Sequence, residues 1–446
     1  MKNRKGFTLI ELLAIIVILA IIAVITVPII LGIIDDAKKG TAKDSAYGYK
    51  DAVNKYNMYL QAVDSTSLGL KGGYTVSELK TAGLQVSGQE PSQGIVILDN
   101  EGLSGCLQFD DYASYLYNDD VINTFKGDCP AISSGAGLYK SQVSPGTLIY
   151  KGSDPNNRIY LKEDGTNEVL YRVFSFESDG TIKVVRQNTV TSAPGWDQSS
   201  ARKNDGTNNT YCSTASCNVW GNQYNTLYNG SPLGENFHYS YYESSSATTF
   251  TSGPSGTVGN VSGNDAKLNE YLNGTWLTSY LSNYIVDHEF NVGGVYYSNT
   301  YSGGDKGLIK EVQEEASLKW IGKIGLLSAT EHVQSSANPN CTSLYSSYYY
   351  ALNENGDLLR ENLPNGEWPC GIENYNVVSY GHLTMSPCTS KLFQIWEIYQ
   401  SGSFYPVDAG ASSHSAHAIR PAFYLKAGTK LTGDGSSDNP FRIVGM

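Results

Sequence analysis

Lys5-Gly6-Phe7-Thr8-Leu9-Ile10-Glu11 opens the stretch on which the reading of this chain turns. Before it lies a short basic leader, Met1 to Gly6. After it an apolar run continues from Phe7 to Ile34. As a helix those residues would extend roughly 42 Å, more than the ~30 Å hydrocarbon core of a bilayer. A secretory signal peptide has a shorter apolar core followed by a small-residue cut site, and neither feature is present. The basic leader would remain in the cytoplasm by the positive-inside bias. One residue breaks the run: Glu11, whose carboxylate costs several kcal/mol in lipid unless it finds a partner. An ordinary signal anchor with a tolerated interfacial Glu is the alternative.

Outward from the run, the helix is expected to continue as a soluble one to residue 63. Ala42, Ala46, Tyr49, Val53, Tyr56, Leu60 and Val63 step by four and three and form one apolar stripe. Lys43, Asp44, Lys50, Asp51 and Lys55 fall off that stripe. Pro28 lacks an N–H and should kink or locally melt the helix, with Gly32 nearby.

The segment Lys5–Glu11, with its basic leader, Gly, Phe and an acid five positions after Gly, resembles the type IV prepilin signature. The resemblance implies cleavage between Gly6 and Phe7 by prepilin peptidase and N-methylation of Phe7. It also gives Glu11 its partner, the Phe7 amine of a neighbouring subunit. A misregistered subunit would leave both charges unpaired in lipid. Pilins of this kind often carry a Pro at the depth of Pro28.

The expected fold class is α+β: a long N-terminal pilin helix, a small antiparallel head, then a large loop-rich mixed C-terminal domain. The expected divisions are a leader (1–6), a helix (7–63, transmembrane over 7–34), a small pilin-like head (64–130), a linker (131–146) and a surface-displayed domain (147–446). In the small head, Thr75-Val76-Ser77-Glu78 reads as a capping box opening a helix to Ala82 that Gly83 ends. Ile95–Leu98 and Leu103–Phe109 read as strands around the turn Asp99-Asn100-Glu101-Gly102. Beyond the small-residue stretch 131–137 lie all 6 Trp and all 6 His. There Tyr171–Phe176 and Thr181–Val185 flank a hairpin turn, Asn264–Leu281 reads as one helix, and Lys323–Ser328 as a buried strand. Gly402 reads as a hairpin turn after Phe393–Ile398, and Ala418–Leu425 as a late strand. Tyr171-Arg172-Val173, Leu268 to Gly274, Gly325–Ser328 with Glu331, and Ile419-Arg420-Pro421-Ala422 resemble a bacterial surface domain of unknown function. That domain looks like the C-type-lectin and formylglycine-generating-enzyme architecture, a sheet closed by its terminal strands. The resemblance implies no established activity.

The net charge of −12 is uneven. Residues 1–63 hold eight basic and five acidic residues, leaving 23 basic and 38 acidic beyond. Such an acidic body repels phosphate backbones and argues against nucleic-acid binding. All 7 cysteines lie beyond the apolar run, which in an exported chain favours disulfides. Cys106–Cys129 and Cys212–Cys217 are local candidates. Cys341, Cys370 and Cys388 leave one thiol over if two pair, and Cys370 with Cys388 complete the expected disulfide set.

His414 and His417 with Asp408, and Asp434–Asn439, offer donor atoms without a full zinc or calcium pattern. They read as loop histidines and a polar turn. No metal, cofactor or nucleophile–base set is expected, and so no enzyme. Arg420 is expected to hold a structural ion pair. The Tyr-rich stretches 239–242 and 345–350 could make an adhesive surface. The expected partners are prepilin peptidase, other pilin subunits, the cytoplasmic membrane and an extracellular glycan or protein ligand. The expected role is a minor pilus subunit, anchored by one span with its head outside the membrane. A competence or secretion pseudopilin, or a pilus-tethered lectin or enzyme, are the alternatives.

Overall fold

The computed structural model describes residues 9–63, 70, 72–130, 132, 135, 137–190, 249–251, 257–258, 261–262, 267–295, 307–316, 319–339, 341–344, 370, 374–376, 381–387, 394–398, 404–408 and 418–446. Helix α1 spans Leu9–Val63, 55 residues, and runs without interruption through Pro28, which therefore does not melt it. A single proline removes one donor from a ladder that the remaining turns keep intact. The apolar half presents its side chains outward along Leu9 to Ile34, with Leu9 83% and Ile33 63% exposed. The soluble half buries Ala42, Ala46, Tyr49 and Val53, while Val63 at the far end of the expected stripe is 66% exposed. The sheet beneath is simply shorter than the stripe.

That sheet comprises β1 (Gly72–Thr75), β2 (Gln93–Asp99), β3 (Gly102–Phe109), β4 (Tyr112–Tyr117) and β5 (Asp120–Lys126), antiparallel in chain order. Helix α2 (Val76–Thr81) opens with the expected capping box. Glu78 N–H donates to Thr75 Oγ1 (3.2 Å), and Thr75 N–H donates to Glu78 Oε2 (2.8 Å). The sheet buries both faces. Val96, Leu98, Leu103, Leu107 and Phe109 pack with α1. Ile95, Ile97, Cys106, Ala113 and Tyr115 pack instead into the core of the C-terminal domain. Alternation sends neighbouring residues to opposite faces, so an unbroken apolar run such as Ile95–Leu98 serves two cores at once. Asn123 Nδ2 donates to Ser178 O (2.6 Å) and Lys430 pairs with Asp128 (3.3 Å) across the same junction.

The C-terminal domain is built on a 10-stranded sheet. Its early strands are β6 (Leu138–Lys140), β7 (Leu148–Tyr150), β8 (Arg158–Lys162), β9 (Glu168–Phe176) and β10 (Ile182–Arg186). Strand β6 falls within the stretch expected to be a linker and pairs with β7. Short pieces follow: β11 (Thr249–Thr251), β12 (Thr257–Val258) and β13 (Val261–Ser262). The helix expected over 264–281 is broken. It comprises α3 (Lys267–Glu270), a π-helical turn (Tyr271–Trp276) and α4 (Ser279–Ser282), the last capped by Thr278. Two causes are visible. Gly274 weakens the helix, and Asn273 turns its amide onto residue 324, accepting from Ile324 N–H and donating to Ile324 O, both at 2.9 Å.

Next come β14 (Ile285–Val286), β15 (His288–Asn291), α5 (Leu308–Glu315), β16 (Lys319–Gly322), β17 (Ile324–Gly325) and α6 (Ala329–Gln334). The single strand expected over 323–328 is thus only two residues, and Ser328 starts α6 instead. Strands β18 (His382–Pro387), β19 (Gln394–Ile398) and β20 (Phe404–Asp408) form a separate antiparallel sheet. Finally β21 (Ala422–Leu425), β22 (Leu431–Thr432) and β23 (Phe441–Ile443) return to the large sheet. There β21 pairs antiparallel to β10, and β23 parallel to β8. The terminal strands therefore close the domain onto its own beginning.

Two disulfides occur among the described residues. Cys106–Cys129 has its Cα atoms 5.7 Å apart and fastens β3 to the chain leaving β5. Cys370 is bonded to Cys341, Cα–Cα 4.8 Å, and not to Cys388 as expected. The turn after α6 carries Cys341 against the buried Cys370, an approach that spacing alone does not reveal. Cys388, Cys212 and Cys217 lie outside the described residues. Peptide mapping of unreduced protein should recover the 106–129 and 341–370 cross-links. Replacing Cys341 and Cys370 together by Ser should lower stability by about 2–4 kcal/mol in urea melts.

Candidate functional site

Several regions of the described residues carry side chains beyond those needed for a core. The first is the N-terminus. Gly6 and Phe7 lie outside the described residues, as does the side chain of Glu11, whose backbone sits in the first turn of α1. Pro28 lies inside the exposed apolar half of the same helix. That helix is long and apolar enough, by length and composition, to cross a membrane.

The second region is a polar cavity of about 160 Å³ where the large sheet meets β15 and α6. Its centre is Lys183, only 3% exposed and paired with Glu331. Three rings surround the ammonium, Tyr424 at 5.0 Å, Phe290 at 5.2 Å and Phe174 at 5.8 Å to their centroids. Their electron-rich faces partly replace lost hydration. Glu331 owes its position to a second capping box, since its carboxylate accepts from Ser328 N–H (2.9 Å). Glu177 accepts from Thr147 Oγ1 (2.7 Å) and from Ser175; burial raises its pKa, partly offset by those hydrogen bonds.

His288 stacks on Tyr424 at 3.7 Å. Its Nε2 meets Asp179 Oδ2 (3.2 Å) and its Nδ1 meets Glu289 O (3.2 Å). Burial raises the Asp179 pKa, but the hydrogen bonds from His288 and Thr181 prevail and hold it at about 2. Lys183 is thus committed to Glu331, and His288 to Asp179. The Lys183–Glu331 pair ties β10 to α6.

Arg420 corrects an expectation. It is 1% exposed, and among the described residues it meets no carboxylate. Nε donates to Arg186 O (2.8 Å), and Nη1 donates to Asn376 O (2.9 Å) and Oδ1 (3.2 Å). Burial lowers its pKa to about 9. Two backbone carbonyls and the Asn376 amide oxygen stand where a carboxylate was expected. His332 beside it lies under the Phe404 ring (5.1 Å), and burial with the Arg420 charge lowers its pKa to about 3.

Glu315 ends α5 fully buried. Its carboxylate accepts from Thr330 N–H (3.2 Å), Thr330 Oγ1 and Ser386 Oγ. Burial pushes its pKa up to about 7 against the pull of those bonds. A carboxyl whose folded pKa exceeds the unfolded 4.5 stabilises the fold fully below 4.5, and the contribution is lost as pH rises through 7. Glu315→Gln should therefore flatten the pH dependence of stability between those limits, by a difference on the order of 3 kcal/mol. Thermal melts across that range would measure it.

Among the described residues no group of three or more His, Cys, Asp or Glu could hold a metal. Asp434 to Asn439 form a turn, with Asp434 Oδ1 accepting from Ser436 N–H (3.0 Å). His414, His417 and the Tyr-rich stretches lie outside the described residues. Sequence reasoning missed the Lys183–Glu331 pair. Half its signal was present, because Ser328-Ala329-Thr330-Glu331 reads as a capping box.

Residues 1–27 match the prokaryotic N-terminal methylation motif. The chain thus begins with a type IV prepilin-like signature, continuous with a membrane-capable helix, and is pilin-like or pseudopilin-like in that part. No curated protein and no solved structure matches it.

Proposed function

We propose that this chain is a minor type IV pilin-like subunit that displays its large C-terminal domain as an adhesive or recognition head. The supporting observation is the methylation motif leading directly into an apolar helix whose described apolar side chains face outward until the sheet begins. In this reading prepilin peptidase cuts between Gly6 and Phe7, and Phe7 is N-methylated. The helix crosses the cytoplasmic membrane once, with the head outside, and later packs among other pilin helices. Glu11 meets the Phe7 amine of a neighbour and sets axial register. A head this large would crowd a densely packed shaft, which favours low copy number. In this reading the head takes an extracellular glycan or protein ligand, and the acidic body disfavours DNA.

Gly6→Val should leave the uncut precursor in the membrane. A mature mass unchanged by that substitution would refute the cleavage site. Glu11→Leu should leave cleavage intact yet reduce surface filaments at least tenfold by electron microscopy. Normal piliation in that variant would refute the register role.

A further inference from the structure

A second, larger cleft of about 530 Å³ opens between β6, the residues after β7, the start of α5 and the turn after α6. Its volume falls within the ordinary range for ligand pockets, roughly 300–1,000 Å³. Lys151 stands in its wall. No hydrogen bond or ion pair engages its ammonium among the described residues; the group lies over the ring of Tyr139 at 5.7 Å. This is unusual here, because the chain carries 43 acids against 31 bases. None of the described residues lining the cleft is an acid. Burial lowers the pKa of Lys151, which is what a charge left without a counter-ion undergoes.

The walls are held firmly. Lys151 N–H donates to Gly137 O (2.8 Å), and Gly152 N–H donates to Ser335 O (3.0 Å). The facing turn is fastened by the Cys341–Cys370 disulfide and by Leu308 N–H donating to Thr342 O (3.0 Å). The remaining lining is suited to a hydroxylated ring. Tyr139 is 46% exposed and presents an aromatic face, while Gln142 and Gln334 supply amides that can both donate and accept.

We propose that this cleft binds an acidic sugar, with the carboxylate on Lys151 and the ring against Tyr139. The proposal rests on the reading of the C-terminal domain as a recognition head and gives that head a site and a ligand class. The charge sorts acidic from neutral sugars, because a neutral ring leaves the ammonium without a partner. The aromatic face and the amides sort a sugar acid from a bare carboxylate.

The test is calorimetric titration of the full chain in detergent with glucuronate, N-acetylneuraminate, glucose and acetate. One or both sugar acids should bind at least tenfold more tightly than glucose and acetate. Lys151→Met keeps the alkyl stem and should weaken that binding at least tenfold with a melting temperature no lower than that of the unaltered chain; Lys151→Arg should restore most of it. Equal affinity for glucose, equal affinity for acetate, no binding by either sugar acid, or full binding by Lys151→Met would each overturn the site. A glycan array separates this from the broader reading. Glycan binding that persists in Lys151→Met would leave the recognition head standing and place its site elsewhere.

Discussion

Gly105→Val is expected to destabilise the small head by at least about 3 kcal/mol, the range reserved for overpacking and forced backbone strain. Strands β2 and β3 approach so closely that a Cβ on Gly105 would lie 2.1 Å from Ile95 O and 2.9 Å from Val96 Cα. Its φ of +146° is open to glycine and strained for any other residue. Gly94 faces the same problem from the other strand, with Cys106 O at 2.3 Å. Neither contact is the mobile end of a side chain, so neither can give way cheaply. The consequence should extend past the sheet, because α1 packs on one face and the C-terminal core on the other. Gly88→Val is the control: φ is +123°, but nothing lies within 4 Å of the added Cβ. It should cost only the backbone term, about 1–2 kcal/mol. Urea melts of both variants measure the difference. Equal losses would show that backbone conformation, and not strand approach, requires Gly105.

Glu331→Ala should cost about 3–5 kcal/mol by leaving the Lys183 ammonium buried without its anion. The position also caps α6, so part of the loss, about 1 kcal/mol, belongs to the helix start. Lys183→Met separates the two contributions. It keeps the stem among Phe174, Phe290 and Tyr424, removes the charge, and lets Glu331 turn toward the cavity and water. Replacing the buried cation by an apolar chain of similar volume should therefore cost much less than removing its partner. Denaturant midpoints for the two single variants test this; a larger loss for Lys183→Met would mean that the ammonium contributes through the rings more than through Glu331.

Several elements could be read from the chain because their causes are local. The capping box Thr75–Glu78 is complete within four residues, as is the one at Ser328–Glu331. The turn between β9 and β10 follows from Asp179 and Gly180, whose N–H donates to Glu177 O (3.0 Å). The run Ile95–Leu98 carries more than a strand, since an uninterrupted apolar run implies burial on both sides. The helix expected over 264–281 was misjudged because Asn273 is drawn to Ile324, 51 residues away, and periodicity in one segment carries no trace of that partner.

The prepilin-like N-terminus is the part of this protein that the sequence determined by itself. A basic leader, Gly6, Phe7, Glu11 and a long apolar run need only their order along one chain, because no distant segment has to fold against them for the motif to exist. The pairing of Cys370 with Cys341, the cage around Lys183 and the cleft around Lys151 were decided only by tertiary structure. Lys183 and Glu331 stand 148 residues apart, and the isolation of Lys151 depends on β6, α5 and the turn after α6 closing around it. A charge acquires its environment from whichever segments fold against it, and that environment exists only once the terminal strands have returned to close the sheet.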